Sequence, residues 1–390
     1  MKKNKATSGL PRSARNDGGR HNVIARNVVT KQSILVVLRL LVGAVFIFSS
    51  FTKGVDPLGT KYKMLEYFAA YHIQWLDPAA LVLAILMILA EFLIGICLIT
   101  NVCPKIAVIG CTAFMALFTT ATFFDALYDM VPDCGCFGTA VKLTNWQTFY
   151  KNVVIDALLL PLIINIKSLK CKLKPGTQFL IGLAYAMAFT GFEIYNYRHL
   201  PIVDFMDWKV GKQMNAQPEQ EQKIYLIFKN KDTGKTQEYL SPDYPWNDSV
   251  WMSQWEFVDQ RVEGGASYLG FSALDEDGDD VTEMILTTPK LFMFTSNDLS
   301  EVDDKQWEKV RTITEKARQN GYEVIWMVAE TPEAMQAYQE RHPFVDEVYY
   351  GDELEIKTIV RFNPGLILLD EGLVIDKWSA IDFDKVWERM

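Results

Sequence analysis

Five long apolar runs dominate the first half of the chain. Each is about 20 residues long, the length that an α-helix needs to cross the hydrocarbon core of a bilayer. The pattern therefore predicts five transmembrane helices, at residues 33–52, 78–99, 105–127, 148–166 and 177–196. A short lysine-rich loop separates the fifth run from the other four.

Beyond residue 197 the pattern changes to short apolar segments between polar turns. Residues 223–240 alternate apolar and polar side chains around Asp232-Thr233-Gly234, which predicts a β-hairpin. From residue 268 onward, apolar strand-like segments alternate with amphipathic helical ones, and a final hairpin turns at Glu371-Gly372. This order predicts a soluble α/β domain.

Charges beside the apolar runs predict how the helices are oriented. Residues 1–32 carry eight lysines and arginines against one acid, and residues 167–176 carry four lysines. Such segments stay in the cytoplasm, so we expect the 129–147 loop and everything after residue 197 to lie outside it. If 177–196 did not span, the soluble half would instead be cytoplasmic. The net charge of −9, with basic residues concentrated only in the tail, argues against a nucleic-acid partner.

The placement of the six cysteines agrees with this topology, although it was not used to build it. Cys97, Cys103, Cys111 and Cys171 fall at or near the predicted cytoplasmic face, and residues 198–390 contain none. Only Cys134 and Cys136, in the motif DCGCFG, fall on the outside. An oxidising compartment selects against stray thiols, so this pair is the candidate for chemistry there.

Two cysteines separated by one glycine can close a small disulfide ring. Such a ring closes almost no loop and stabilises little, whereas an exposed, strained disulfide is labile and suits exchange with a partner thiol. The motif thus predicts that Cys134 and Cys136 are catalytic. The alternatives are a metal site, which would need further ligands, and cysteines that only pack.

Ionisable residues within the apolar runs are a second group of candidates, because charge in hydrocarbon is costly and such residues usually pair. They are Arg39, Glu91, Asp125 and Asp156. We expect Arg39 and Glu91 to form an internal ion pair, and Asp125 and Asp156 to lie near the interface. Glu91 and Asp125 are alternatively a proton path. Lys53 and Asp56, just beyond the first run, are expected to form a surface ion pair.

Aromatic residues flank the same runs on the outer side, including Trp75, Tyr128 and Trp146. Their position is typical of an interfacial belt. A quinone site built from the belt is the alternative interpretation. The sequence contains no nucleotide-binding loop, no Ser-His-Asp set and no haem-attachment motif, so no cofactor is evident.

Three stretches of the membrane half resemble known membrane proteins. GAVFIFSSFTKGVDP (43–57) and AEFLIGICLI (90–99) are similar to the first and second helices of DoxX-like proteins, with Glu91 matching their membrane glutamate. PDCGCFGTAVKLTNWQTFYKNVVID (132–156) resembles the MauE-type branch, the methylamine-utilisation membrane proteins. The resemblance implies a four-helix membrane bundle and a role in thiol–disulfide supply to exported proteins.

The element order of residues 268–388 resembles the thioredoxin fold. In that family a Cys-x-x-Cys pair opens the helix after the first core strand, and a cis-proline faces it. Here Ser296, Asn297, Asp298 and Leu299 stand at the place of the cysteine pair, and Pro364 stands at the place of the cis-proline. Without thiols the domain cannot exchange disulfides, so the resemblance implies a binding module.

Together these observations predict five segments with different roles. They are a basic cytoplasmic tail (1–32), a four-helix membrane bundle (33–166), a cytoplasmic loop with the fifth transmembrane helix (167–197), a linker with a small β-rich region (198–267) and a redox-inactive thioredoxin-like domain (268–390). The N-terminus is expected in the cytoplasm and the last domain in the periplasm, with the helices in the cytoplasmic membrane.

The leading hypothesis for function is a membrane thiol–disulfide redox protein that acts on exported protein thiols through Cys134 and Cys136. The alternative is a scaffold or assembly factor whose last domain binds a periplasmic client. A small-solute transporter ranks third, because the five spans contain few polar residues.

Overall fold

The computed structural model describes residues 17–131, 135–141, 143–215, 223–231, 233–241, 243–245, 248–263 and 271–388. The chain divides into two compact units. The membrane unit comprises residues 1–197 and 201–203, and the soluble unit comprises residues 198–200 and 204–390.

Six helices form the described part of the membrane unit. They are α1 (Asp17–Gly54), α2 (Pro57–Ala70), α3 (Ala80–Thr100), α4 (Pro104–Tyr128), α5 (Asn145–Ile164) and α6 (Pro175–Arg198). Five segments are long and apolar enough to cross a bilayer: Gln32–Gly54, Gln74–Thr100, Pro104–Tyr128, Asn145–Ile164 and Pro175–Arg198. They coincide with the five predicted runs, so the prediction of a multi-pass membrane protein is confirmed.

Helices α1, α3, α4 and α5 pack against one another around a shared apolar core. Small residues allow α1 and α3 to approach closely: a Cβ atom on Gly43 would lie 2.9 Å from the Gly95 carbonyl oxygen. Small residues at such contacts are typical of membrane helix pairs. Helix α6 is largely exposed and contacts the others through Phe189, which stacks on Phe92 at 4.0 Å between ring centroids.

The soluble unit contains two sheets. Strands β1 (Lys223–Asn230), β2 (Thr236–Leu240) and β3 (Trp255–Glu263) form an antiparallel sheet in the order β2-β1-β3, and helix α7 (Ser249–Gln254) precedes β3. The β1–β2 pair confirms the predicted hairpin, although Asp232 of its turn lies outside the described residues.

The second sheet has the order β6-β5-β4-β7-β8. Its strands are β4 (Leu291–Ser296), β5 (Glu323–Val328), β6 (Val348–Tyr350), β7 (Gly365–Asp370) and β8 (Leu373–Ser379). The first three are parallel, whereas β7 is antiparallel to β4 and to β8. The predicted α/β architecture of this region is therefore confirmed.

Helices cover both faces of this sheet. They are α8 (Thr282–Thr287), α9 (Asp304–Gln319), α10 (Pro332–Arg341) and α11 (Glu353–Ile359). Side chains alternate along β4: Phe292 and Phe294 pack with α9 and α10, whereas Leu291 and Met293 pack with α8 and α11. The strands are thus buried on both faces, as parallel strands usually are.

The start of the predicted linker belongs to the core of the soluble unit. Trp208 and Met214 are about 1% exposed and pack in the same cluster as Met293. The Met214 amide also donates to the Gly372 carbonyl at 2.8 Å. The sequence prediction missed this because two buried side chains in an irregular segment leave no periodic pattern.

Candidate functional site

The Cys-Gly-Cys motif lies in the loop between α4 and α5. Cys134 lies outside the described residues, whereas Cys136 is described and half-buried. Two short turns shape the rest of the loop, because the Gly138 amide donates to the Gly135 carbonyl at 2.9 Å and the Ala140 amide donates to Phe137 at 3.2 Å. Gly135 has φ +61°, a conformation that favours glycine.

The end of α1 supports one side of this loop. The Ser49 hydroxyl lies 2.8 Å from the carbonyl oxygen of Cys136. A Cβ atom on Gly138 would lie 3.2 Å from the Thr52 carbonyl oxygen, so the loop backbone packs directly on the α1 backbone. The ring of Phe137 meets Phe48 edge-on at 5.3 Å. The loop therefore packs on α1 at Cys136 and at the two residues that follow it.

A buried charged pair lies beneath that contact. Lys53 Nζ is 2.5 Å from Glu91 Oε1, and the two side chains are 5% and 1% exposed. The other carboxylate oxygen of Glu91 lies 2.9 Å from the Ser49 hydroxyl. A hydroxyl has one hydrogen, so Ser49 shares that hydrogen between Glu91 and the Cys136 carbonyl. A continuous polar chain thus joins α1, α3 and the cysteine loop.

This arrangement corrects two predicted pairings. Arg39 does not pair with Glu91; its guanidinium hydrogen-bonds to the side chain of Asn101. Lys53 does not lie at the surface with Asp56; it is buried against Glu91, and Asp56 accepts a hydrogen bond from the Gly59 amide at 2.8 Å as the N-cap of α2. The reason is the helix register, which brings the end of α1 rather than its middle beside Glu91.

Asp125, near the end of α4, is fully buried inside the protein. Tyr67 of α2 donates to its Oδ2 at 2.6 Å. The side-chain nitrogen of Asn145, Nδ2, at the start of α5, donates to the Val131 carbonyl at 3.0 Å and to the Asp129 carboxylate at 3.3 Å. These bonds tie α2 to α4, and the start of α5 to the end of α4 and to Val131 at the start of the cysteine loop.

Asp156 is the fourth of the predicted ionisable candidates. It accepts a hydrogen bond from Thr119 at 2.8 Å, which links α5 to α4 within the apolar part of the unit. The bond gives Asp156 a structural partner, and no described contact joins it to the cysteine loop.

Glu193 on α6 is a buried carboxyl within the fifth predicted transmembrane run. It is 0% exposed, and within the described part of the chain neither of its oxygens has a hydrogen-bond partner. The signal was its presence in an otherwise apolar run, which marks a residue that faces protein rather than lipid.

In the soluble unit, the segment after β4 is held by two side chains. The Asn297 amide donates to Asn363 Oδ1 at 2.9 Å, and the Ser296 hydroxyl lies 3.2 Å from the same oxygen. The Leu299 amide donates to Glu330 Oε1 at 2.5 Å. The peptide bond between Asn363 and Pro364 is cis, at the position where the sequence predicted it.

Burial dominates the electrostatics of Glu330. It raises the pKa of this carboxyl, and the hydrogen bond from the Leu299 amide partly opposes the rise. The segment after β4 is therefore held by hydrogen bonds to Glu330, which follows β5, and to Asn363, the residue before Pro364.

A small pocket lies beside the cysteine loop. It is lined by Gly135, Cys136, Phe137, Gly138, Val141 and Leu143. Among the described residues, no group of three or more histidine, cysteine, aspartate or glutamate side chains is arranged to hold a metal ion.

Comparisons with known proteins bear on the membrane unit alone. No curated protein and no solved structure matches the chain. A family model does match: residues 31–165, which hold four of the five apolar helices and the cysteine loop, are similar to the family described as methylamine utilisation protein MauE.

Proposed function

We propose that this membrane protein exchanges disulfides with exported proteins through Cys134 and Cys136, in support of their maturation. In one direction, the loop disulfide is reduced while two thiols of the client are oxidised to a disulfide. A client thiolate attacks one loop sulfur, a mixed disulfide forms, and the second client thiol releases the reduced loop. Electrons and protons balance within this exchange.

The observation that carries the proposal is the setting of Cys136. It is half-buried and lines a small pocket, and its backbone is held by Ser49 and by the packing of Gly138 on α1. A cysteine that only packs would lie in the apolar core, as Cys111 does. A supported backbone with an accessible side is what an exchanging thiol needs.

The match to the MauE family over residues 31–165 also supports a role of the membrane unit in the maturation of exported proteins. A DoxX-like four-helix bundle made of α1, α3, α4 and α5, in the cytoplasmic membrane with the N-terminus inside, is part of the proposal. It would put the cysteine loop and the soluble unit in the periplasm, where exported thiols are found. Exported proteins are the proposed partners. None of the contacts described above indicates a quinone site.

The test is thiol trapping of the single variants Cys134→Ser and Cys136→Ser in cells. Each variant leaves one thiol that cannot complete the exchange, so we expect mixed disulfides with exported proteins that disappear on reduction. The double serine variant is the matched control and should trap nothing. If the double variant leaves the disulfide content of client proteins unchanged, the proposal is wrong.

A second candidate function is client binding by the soluble unit. The sheet order β6-β5-β4-β7-β8, with Pro364 just before β7, supports a thioredoxin-like domain. The segment at the place of the cysteine pair in that family has no thiol and is held by Asn363 and Glu330, which favours a binding role over chemistry. If the double serine variant still functions, the scaffold hypothesis is the better one.

A further inference from the structure

The cysteine loop has a second support that the sequence argument did not identify. A Cβ atom on Gly135, the residue between the two cysteines, would lie 3.0 Å from Lys63 Cγ and 3.5 Å from its Cδ and Cε. The stem of Lys63 therefore runs along the loop backbone. The Lys63 ammonium is one bond beyond Cε, and the Cα atoms of Gly135 and Cys136 are about 3.8 Å apart. Added to the Cε contact, these lengths place the ammonium within about 10 Å of the Cys136 Cα.

The charge of Lys63 is partly balanced by its neighbour on α2. Lys63 Nζ is 2.6 Å from Glu66 Oε2, and the two side chains are only 22% and 35% exposed. Partial burial weakens solvent screening of both charges. The loop thus lies beside a cation, and Glu66 on the same helix is an anion in direct contact with that cation.

We propose that the Lys63–Glu66 pair of α2 sets the reactivity of the Cys136 thiol, with Lys63 stabilising the thiolate and Glu66 restraining it. The inference rests on the proposed exchange function and names how that site is regulated. Thiolates attack disulfides, and nearby cations increase the fraction of thiolate at neutral pH.

Other charged groups surround the loop and stay constant in the test. Lys151 of α5 lies over the Phe137 ring at 4.5 Å, and Lys53 of α1 is paired with Glu91 of α3. Asp125 of α4 interacts electrostatically with Lys63. Asp133 of the loop lies outside the described residues.

The contacts of Lys53 and Lys63 explain why lysines occur in this segment of the sequence. Lysines 53, 61 and 63 fall in a segment predicted to lie outside the cytoplasm, where lysine is usually sparse. Lys53 is buried against Glu91 and Lys63 lies against Gly135. Two of the three lysines thus contact the cysteine loop, Lys63 directly and Lys53 through Glu91 and Ser49.

The experiment measures alkylation of Cys136 by iodoacetamide across pH in the full-length protein with Cys134→Ser, reduced beforehand and read by peptide mass spectrometry. For Lys63→Gln we expect the pH midpoint to rise and the rate at neutral pH to fall about threefold or more at low salt. For Glu66→Gln we expect the opposite shift. Added salt should shrink both shifts.

Two control variants separate charge from structure. Lys61→Gln removes the same charge two residues away, on a different side of α2, and should leave the midpoint unchanged. Lys63→Arg keeps the charge and should restore the wild-type profile. Shifts in the same direction for Lys63→Gln and Glu66→Gln, or no shift in either, would overturn the inference. Trapping of clients could still succeed in that case, so the two proposals fail separately.

Discussion

At the scale of single residues, the membrane unit is organised around the buried Lys53–Glu91 pair. Removing two charges from water costs several kcal/mol per ion. Their attraction offsets this cost only when the geometry is good and the remaining lone pairs and protons are hydrogen-bonded. Here the second oxygen of Glu91 is satisfied by Ser49. The same pair therefore also positions the hydroxyl that holds the Cys136 carbonyl.

The pair makes a prediction about stability. Lys53→Met leaves Glu91 buried without its cation, so we expect the membrane unit to lose about 3 kcal/mol of unfolding free energy. The double variant Lys53→Met/Glu91→Leu removes both charges and should be clearly more stable than the single variant. Thermal unfolding of the purified protein in detergent measures both.

An exposed pair provides the comparison. Lys309 Nζ is 2.7 Å from Asp384, but the two side chains are 37% and 75% exposed. Lys309→Met should therefore cost less than about 1 kcal/mol. If Lys53→Met were as mild as Lys309→Met, the buried pair would have no special role in holding α1 to α3.

At the scale of elements, the segments that follow β4 and β5 are joined by a carboxyl, Glu330, whose pKa is raised. Burial of Glu330 favours its neutral form in the folded state. The folded state thus holds this proton more tightly than the unfolded state does. Stability from this group is present at low pH and is lost as pH rises from about 4.5, its ordinary value, through the raised pKa.

Glu330→Gln tests this linkage, because glutamine is neutral and can still accept the Leu299 hydrogen bond. We expect the variant to unfold at a higher temperature than wild type at pH 7, with the difference shrinking as pH falls through the raised pKa and gone below about 4.5. Tryptophan fluorescence should report the transition, since Trp326 and Trp307 lie in the core of this unit.

Glu333 is the matched control nearby. It is fully exposed, and hydrogen bonds, first from its own backbone amide and then from Thr331, lower its pKa. Glu333→Gln should therefore give no gain in unfolding temperature at pH 7. An equal gain in both variants would point to a general relief of negative charge rather than to the burial of Glu330.

At the scale of the whole molecule, apolar side chains cover the outside of the membrane unit. Ile106, Leu117, Ile164 and Phe179 are each more than 60% exposed. A soluble protein rarely presents so much contiguous apolar surface, whereas lipid-facing helices require it. The soluble unit instead buries its strands between helices on both faces of the sheet.

Cysteine labelling tests the orientation of the whole chain. A membrane-impermeant maleimide should label only Cys134 and Cys136 in intact spheroplasts. Cys103 and Cys171, which are half-buried, should label after permeabilisation, and the buried Cys111 only after unfolding. Labelling of Cys171 in intact spheroplasts would reverse the proposed topology and move the soluble unit to the cytoplasm.

Local pattern alone determined the five membrane helices, the β1–β2 hairpin and the α/β character of the soluble unit. Helix length and side-chain periodicity are properties of neighbouring residues, so a single sequence displays them. The same pattern singled out Cys134, Cys136 and Glu91 as unusual in their surroundings.

Only the tertiary structure decided which groups meet. Lys53 rather than Arg39 pairs with Glu91, Lys63 runs along Gly135, and Trp208 enters the core of the soluble unit. Each contact joins residues far apart in sequence, and each depends on how helices or strands are rotated and shifted against one another. Packing between elements fixes those shifts, and no local pattern encodes them.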